Sequence, residues 1–272
     1  MITDIMVRVA IAMLIFVPLE HVLPRKRDKR ILRKFWTLDA VYALAGGVLN
    51  IAGSTVVIIL GLVLLQPLIP AALKEMVAQQ PLILQAIEVM ILADLGYYAI
   101  HRLFHTVPFL WQFHAIHHSI EEMDWLAAHR VHPVDQILTR GASMILPLAL
   151  GFSTAAIGIF VFIFGWHSYL KHSNVNVNFG PLRWIFVSPA FHHWHHANEP
   201  HAFDKNFAGQ FSFLDRLFGT ALMTDPVTPR VYGTDTPVPD GFVSQLVAPL
   251  KGLGSDQTTV PASTVPDAQN PA

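Results

Sequence analysis

Eight of the fifteen histidines in this 272-residue chain fall into three tight clusters. His101 and His105 are four apart, His114, His117 and His118 follow, and His192, His195 and His196 repeat the spacing of the second cluster. On a helix, residues i and i+4 share a face and lie about 6 Å apart along the axis, and an i, i+3, i+4 triplet shares one too. A helical cluster would therefore present its imidazoles together. Positions i+3 and i+4 diverge slightly around the helix, so one triplet can feed two neighbouring metal ions. Eight to ten histidines exceed what a single ion with about four to six ligands needs, so a metal pair is the natural reading. His193 lies off the shared face and is not expected to ligate. Isolated histidines such as His21 and His201 read as surface or hydrogen-bonding residues. There is no cysteine, which excludes disulfides, thiolate metal sites, iron–sulfur clusters and thiol catalysis. Any transition metal must then use imidazole and carboxylate donors.

The elements that position these clusters are apolar. Hydrophobic residues make up 53% of the chain and charged residues 14%, against roughly 25% charged in soluble domains. The net charge of −1 gives no global field for nucleic acid. A first membrane helix is predicted at about residues 3–23. The basic run from Pro24 to Lys34 follows, which places that loop in the cytoplasm and the N-terminus outside. Residues 40–65 carry no charge and are long enough for a second span, ending near Pro67 and Pro70. A polar loop is expected over Lys74–Gln80. A third span, residues 82–100, contains Glu88 and Asp94 and runs directly into His101 and His105. Intramembrane carboxylates usually face the protein interior, and Glu88 reads as a helix–helix contact. For early and late clusters to meet, the chain must cross an even number of times between them. Residues 135–170 can form two short helices turning at Pro147 and Gly151-Phe152-Ser153. The expected fold is therefore all-α: about three spans, a helical hairpin and a cytoplasmic histidine-rich helical cap. The expected organisation is residues 1–80 as N-terminal membrane helices and basic loop, 81–240 as the catalytic domain, and 241–272 as a disordered C-terminal tail. Within that tail residues 254–272 read as disordered from composition.

HRLFH at His101, HAIHH at His114 and HHWHH at His192, in this order among membrane spans, resemble the fatty acid hydroxylase/sterol desaturase superfamily. The resemblance covers roughly residues 85–223. It includes the Asp94-Leu-Gly-Tyr-Tyr approach to His101, the Arg130-Val-His-Pro segment, His172-Ser-Asn, and Leu214 to Thr220. It implies a non-haem site of two iron ions that uses O₂ to oxidise an unactivated C–H bond of a lipid. It also implies about two further histidines between the second and third clusters. His167 and His172 are the candidates, although their spacing of five departs from the usual four. His129 and His132 are further candidates, with the His132-Pro133 pair also reading as a turn before the next helix. Asp94 lies seven residues before His101 on the same face, where it could hydrogen-bond a ligand imidazole and fix its tautomer.

Two other classes compete. A metal transporter or storage protein would also be histidine-rich, but a transporter places its ligands near mid-membrane, whereas these clusters fall at helix ends. A zinc hydrolase needs a general base, usually Glu, and no HExxH is present. Metal stoichiometry separates these readings. No flavin or haem module and no Gly-rich dinucleotide fingerprint is visible, so electrons are expected from a separate ferredoxin, rubredoxin or cytochrome b5-type partner with its reductase. The lipid, and the choice between hydroxylation and desaturation, stay open at this stage.

Overall fold

The computed structural model describes residues 2–28, 30, 32–224 and 227–251. Its helices are α1 (Ile2–Val22), α2 (Trp36–Leu65), α3 (Ala71–Ala78), α4 (Leu82–Thr106), α5 (Pro108–His118), α6 (Pro133–Ala149), α7 (Thr154–His172), α8 (Pro189–His195), α9 (Ser212–Leu217) and α10 (Phe242–Lys251). Among the described residues there is no strand, only the isolated bridges Pro24–Val175 and Ala197–Tyr232. Four segments are long and apolar enough to cross a bilayer: Thr3–Val22, Asn50–Leu68, Leu82–Thr106 and Thr154–His172. Their outward faces are apolar, with Leu14, Leu64 and Leu68 at 71%, 73% and 75% exposure. Apolar surface on this scale suits lipid contact rather than water.

The hairpin is α6 and α7. α6 has only 17 residues and packs between α2 and α4. Gly96 on α4 allows that approach, because a Cβ there would lie 2.5 Å from the Ala142 carbonyl oxygen of α6. The turn at Gly151 takes φ +82°, which glycine adopts without cost. Ser153 then caps α7, its hydroxyl accepting from Ala156 N–H at 3.3 Å, while its own N–H donates to Gln85 Oε1 at 2.9 Å. The hairpin turn thus sits beside the start of α4. The end of α4, the start of α6 and the end of α7 consequently gather at the opposite end, where the histidines are.

Three local features differ from expectation. The third span continues through both histidines to Thr106 and stops because Val107 precedes Pro108, which disfavours helical backbone. Lys74 and its neighbours form the short helix α3, consistent with the helix-favouring Ala, Leu, Lys, Glu and Met in that stretch. The start of the expected tail is the helix α10, tied down by Tyr42 Oη donating to Gln245 Oε1 at 2.9 Å and Gln245 Nε2 donating to the Pro239 carbonyl at 2.7 Å. Residues 254–272 lie outside the described residues.

Two apolar clusters fix the frame. Val77, Ala86, Val89, Ala93, Phe152 and Phe160 join α3, α4 and α7 at the end remote from the histidines. Tyr98, Phe191, Phe207, Phe211 and Leu214 fasten the C-terminal cap onto α4.

Candidate metal centre

Nine imidazoles converge in two groups. His101 and His105 of α4, His114 and His118 of α5, and His195 of α8 offer ring nitrogens within 4.8 Å of one another. His117 of α5, His172 of α7, His192 of α8 and His196 just after it offer the second such set. The α5 triplet divides between the groups, with His114 and His118 on one side and His117 on the other. The third cluster divides likewise, His195 against His192 and His196. Prolines and caps place these helices: Pro108 opens α5, and Pro189 opens α8 behind Ser188, whose Oγ accepts from Phe191 N–H at 3.2 Å. Almost all of this is sealed from solvent; eight of the nine are buried and His105 is partly so.

The outer nitrogen of five rings is spoken for. His101 Nδ1 faces the Phe207 carbonyl at 2.6 Å, His117 Nδ1 the Arg130 carbonyl at 3.0 Å, His172 Nδ1 the Ser168 carbonyl at 2.7 Å and His195 Nδ1 the Lys205 carbonyl at 2.9 Å. His114 Nδ1 faces the Asp135 carboxylate at 2.6 Å. A carbonyl or an ionised carboxylate can only accept, so with Asp135 ionised these Nδ1 atoms carry the proton and each Nε2 presents a lone pair inward. Those lone pairs meet one another. The Nε2–Nε2 distance is 3.0 Å for His101–His114, and 3.2 Å for His117–His172. The rings of His118 and His195 close the first group at 3.1 Å, and those of His192 and His172 approach to 2.9 Å in the second. For His101–His114 and His117–His172 both protons are already assigned outward, so no hydrogen bond can form between the inner nitrogens. A cation between them resolves the repulsion. The inner Nε2 of His105 also lacks a hydrogen-bond partner. The residues present therefore fit a bound metal, and all-imidazole donors suit iron. Burial pushes the His114 and His117 imidazoles down to about 3, which keeps them neutral as ligands must be.

Other expected residues lie elsewhere. His167 belongs to neither group; its Nε2 donates to the Val187 carbonyl at 2.7 Å. His129 ends the 3-10 turn Trp125–His129 with its ring 5.3 Å from Tyr169. His132 caps α6: its Nδ1 accepts from Val134 N–H at 3.1 Å and its Nε2 faces the Leu246 carbonyl at 3.2 Å. That matches the turn reading of His132-Pro133. His193 points away from both groups, to Tyr232 Oη at 3.0 Å and the Ser173 carbonyl at 3.1 Å. Asp94 does not reach an imidazole; its carboxylate accepts the amide N–H groups of Gly209, Gln210 and Phe211 at 2.7–3.0 Å. The buried carboxylate that hydrogen-bonds a ring is Asp135, which the histidine pattern did not flag; the exposed Asp204 faces His105 Nδ1 at 3.7 Å. The only sequence signal of Asp135 is an acidic residue in the first turn after His132-Pro133.

A buried ion network was also missed. Arg33 grips Asp124 at 2.8 and 3.0 Å and pairs with Asp39, which pairs in turn with Arg130. Two guanidinium and two carboxylate groups balance there, and the Arg130 backbone carbonyl is the acceptor for His117. Arg33 sits in the basic run and reads from sequence as a membrane-orienting charge, but it is only 2% exposed.

Fold and site together describe a helical protein with four segments able to span a membrane and two histidine groups able to hold metal. A family model described as fatty acid hydroxylase matches residues 86–220. Ornithine lipid hydroxylase OlsE of Rhizobium tropici is 30% identical over 179 residues, covering 65% of this chain and 53% of that protein. Alkylglycerol monooxygenase of Homo sapiens is 35% identical over 127 residues, 47% of this chain and 28% of that protein. Methylsterol monooxygenase 1 of Gallus gallus is 27% identical over 166 residues, 56% of this chain and 51% of that protein. The chain thus spans about half or less of the length of these relatives. No solved structure matches it. The chain belongs to the fatty acid hydroxylase/sterol desaturase superfamily.

Proposed function

We propose that this protein holds two iron ions, one per imidazole group, and uses O₂ to hydroxylate a C–H bond of a membrane lipid. The observation that carries this reading is the inward confrontation of unprotonated Nε2 atoms in two separate groups, one of five rings and one of four. Hydroxylation is favoured over desaturation because the relatives are named as hydroxylases and monooxygenases. The overall reaction is RH + O₂ + 2e⁻ + 2H⁺ → ROH + H₂O. A ferredoxin, rubredoxin or cytochrome b5-type protein with its reductase supplies the electrons.

Bound iron would supply the oxidising power for the C–H bond. The chain's own residues do the rest. The nine imidazoles hold the ions, and Asp135 with the carbonyls of Phe207, Lys205, Arg130 and Ser168 keep the protons of His114, His101, His195, His117 and His172 on the outer nitrogen, so the inner one stays a donor. Burial excludes water from the donors and so protects a reactive centre from side reactions. The four apolar helices keep the site at the end of the spans, next to lipid. The basic loop Arg25–Lys34 supports a cytoplasmic location for this end.

Purified protein should contain two iron ions per chain and should incorporate one ¹⁸O atom from ¹⁸O₂ into a lipid of cells expressing it. Two irons with no lipid oxygenation would favour metal storage instead. Turnover with NAD(P)H and O₂ but no added electron-transfer protein would refute the external donor. The native chain lacks cysteine, so Asp240→Cys gives a single labelling site on the cap, expected to react only from the cytoplasmic side.

A further inference from the structure

The segment from Lys205 to Phe211 has neither helix nor strand, yet it is deeply buried from Asn206 to Phe211. Bare buried backbone is costly unless every amide finds a partner. Here five consecutive amide N–H groups are taken by two carboxylates. Asp215 accepts from Phe207 at 2.7 Å and Ala208 at 2.9 Å. Asp94 accepts from Gly209 at 2.8 Å, Gln210 at 3.0 Å and Phe211 at 2.7 Å. Both aspartates are fully buried, at 0% exposure. Thr220 Oγ1 donates to Asp215 Oδ1 at 2.7 Å, and Lys171 Nζ donates to the Gly209 carbonyl at 3.2 Å. Gly209 is required by the closeness of Asp94, since a Cβ there would lie 2.7 Å from Asp94 Oδ1. At Asn206 the chain takes φ +62°, and the Asn206 side-chain Nδ2 donates to the Phe191 carbonyl of α8 at 2.8 Å.

This strap delivers the two carbonyls, Lys205 and Phe207, that hold the Nδ1 protons of His195 and His101. Both rings belong to the five-imidazole group. None of the Nδ1 acceptors of the four-imidazole group lies on the strap; they are the Arg130 and Ser168 carbonyls.

We propose that Asp94 and Asp215 are positioning residues for the five-imidazole group alone, acting through the backbone of residues 205–211 rather than by touching a ligand. The carboxylates stand in for the sheet that would otherwise order this strap. Replacing either by Asn turns one acceptor oxygen into an amide donor facing backbone N–H groups. The strap then moves, and with it the orientation of His101 and His195. A general role in stability would instead weaken both groups together.

The inference rests on the two-iron reading, and one experiment separates their failures. Wild type, Asp94→Asn and Asp215→Asn would be loaded with ⁵⁷Fe in nanodiscs, with iron per chain and Mössbauer spectra measured. The expected result is two irons in wild type and about one in each variant, with the signal of one site retained. A wild type holding fewer than two irons would sink both readings. A wild type holding two, with variants that keep both and an unchanged spectrum, or lose both in parallel, would overturn this inference only. Should the Asn variants fail to fold, Thr220→Val removes a single hydroxyl from Asp215 and decides the matter. It should alter the signal of one iron site and leave the other unchanged; two unchanged signals, or two equally altered, would overturn the proposal.

Discussion

The five-imidazole group is backed from a distance. His101 of α4 is oriented by a carbonyl more than a hundred residues later, and His114 by a carboxylate on the next long helix. The four-imidazole group is backed locally. His172 donates to the carbonyl one turn earlier in its own helix, and His117 to that of Arg130, just beyond the following loop. The Nδ1 atoms of His192 and His196 have no hydrogen-bond partner. The first group thus takes two of its three acceptors from distant segments, and the second takes one from its own helix and one from a residue held in an ion network. The difference predicts that the two interleaved groups respond separately to a change made behind the imidazoles rather than at them.

The bluntest way to break the comparison is to remove a ligand. His118→Ala or His192→Ala should abolish lipid oxidation, a loss greater than the roughly 10–100-fold expected when only a ligand's supporting partner is removed. Membrane insertion should persist, because the apolar helices drive it. Product analysis and membrane fractionation would check both.

A sharper test acts on each group from behind. Asp135→Asn withdraws the acceptor for His114 and should cost about 10–100-fold in metal affinity at the five-imidazole group. Asp39→Asn leaves Arg33 and Arg130 short of a buried partner, at a cost of about 3–5 kcal/mol in stability. Its metal effect should fall on the four-imidazole group through the Arg130 carbonyl. Chelator titrations of the two variants that lose the same ion would erase the distinction.

Acid should act on the metal-free protein in a defined window. Burial holds His114 and His117 down at about 3 in the fold, against an ordinary value of 6.5. Between those values the unfolded chain binds more protons than the folded one, so stability is full above about 6.5 and falls as pH drops toward 3. Thermal unfolding of chelator-treated protein in nanodiscs should show a melting temperature that declines on acidification from pH 7 to 4. A rise over that range would contradict the assignment. The smallest effect belongs to His193→Ala and His167→Ala. Each removes a hydrogen bond worth about 1 kcal/mol without removing a donor from either group, so iron content should stay at two per chain.

Much of the fold was legible because apolar length and histidine spacing are local signals. The hairpin turn at Gly151 lay within reach of such reasoning, whereas His172 came as a candidate only through the family resemblance. His167 did not join the groups: five residues advance a helix by about 500°, which turns it well away from His172. Asp94 was correctly read as inward-facing, but its partners are backbone amides more than a hundred residues away, which no spacing rule reveals. Arg33, Asp39, Asp124 and Arg130 were invisible for the same reason, since pairing among scattered charges is decided only by tertiary contact.

The division of the third cluster has a consequence for biosynthesis. His195 completes one group and His196 the other, and they are neighbours in the chain. A ribosome that has made α1 through α7 has produced four of the five rings of the first group and only two of the four of the second. Neither compartment can close until the same short helix emerges, and then both close within one residue of synthesis. On the two-iron reading, delivery of the ions would therefore follow synthesis of α8, and a chain truncated before it would lack rings of both groups.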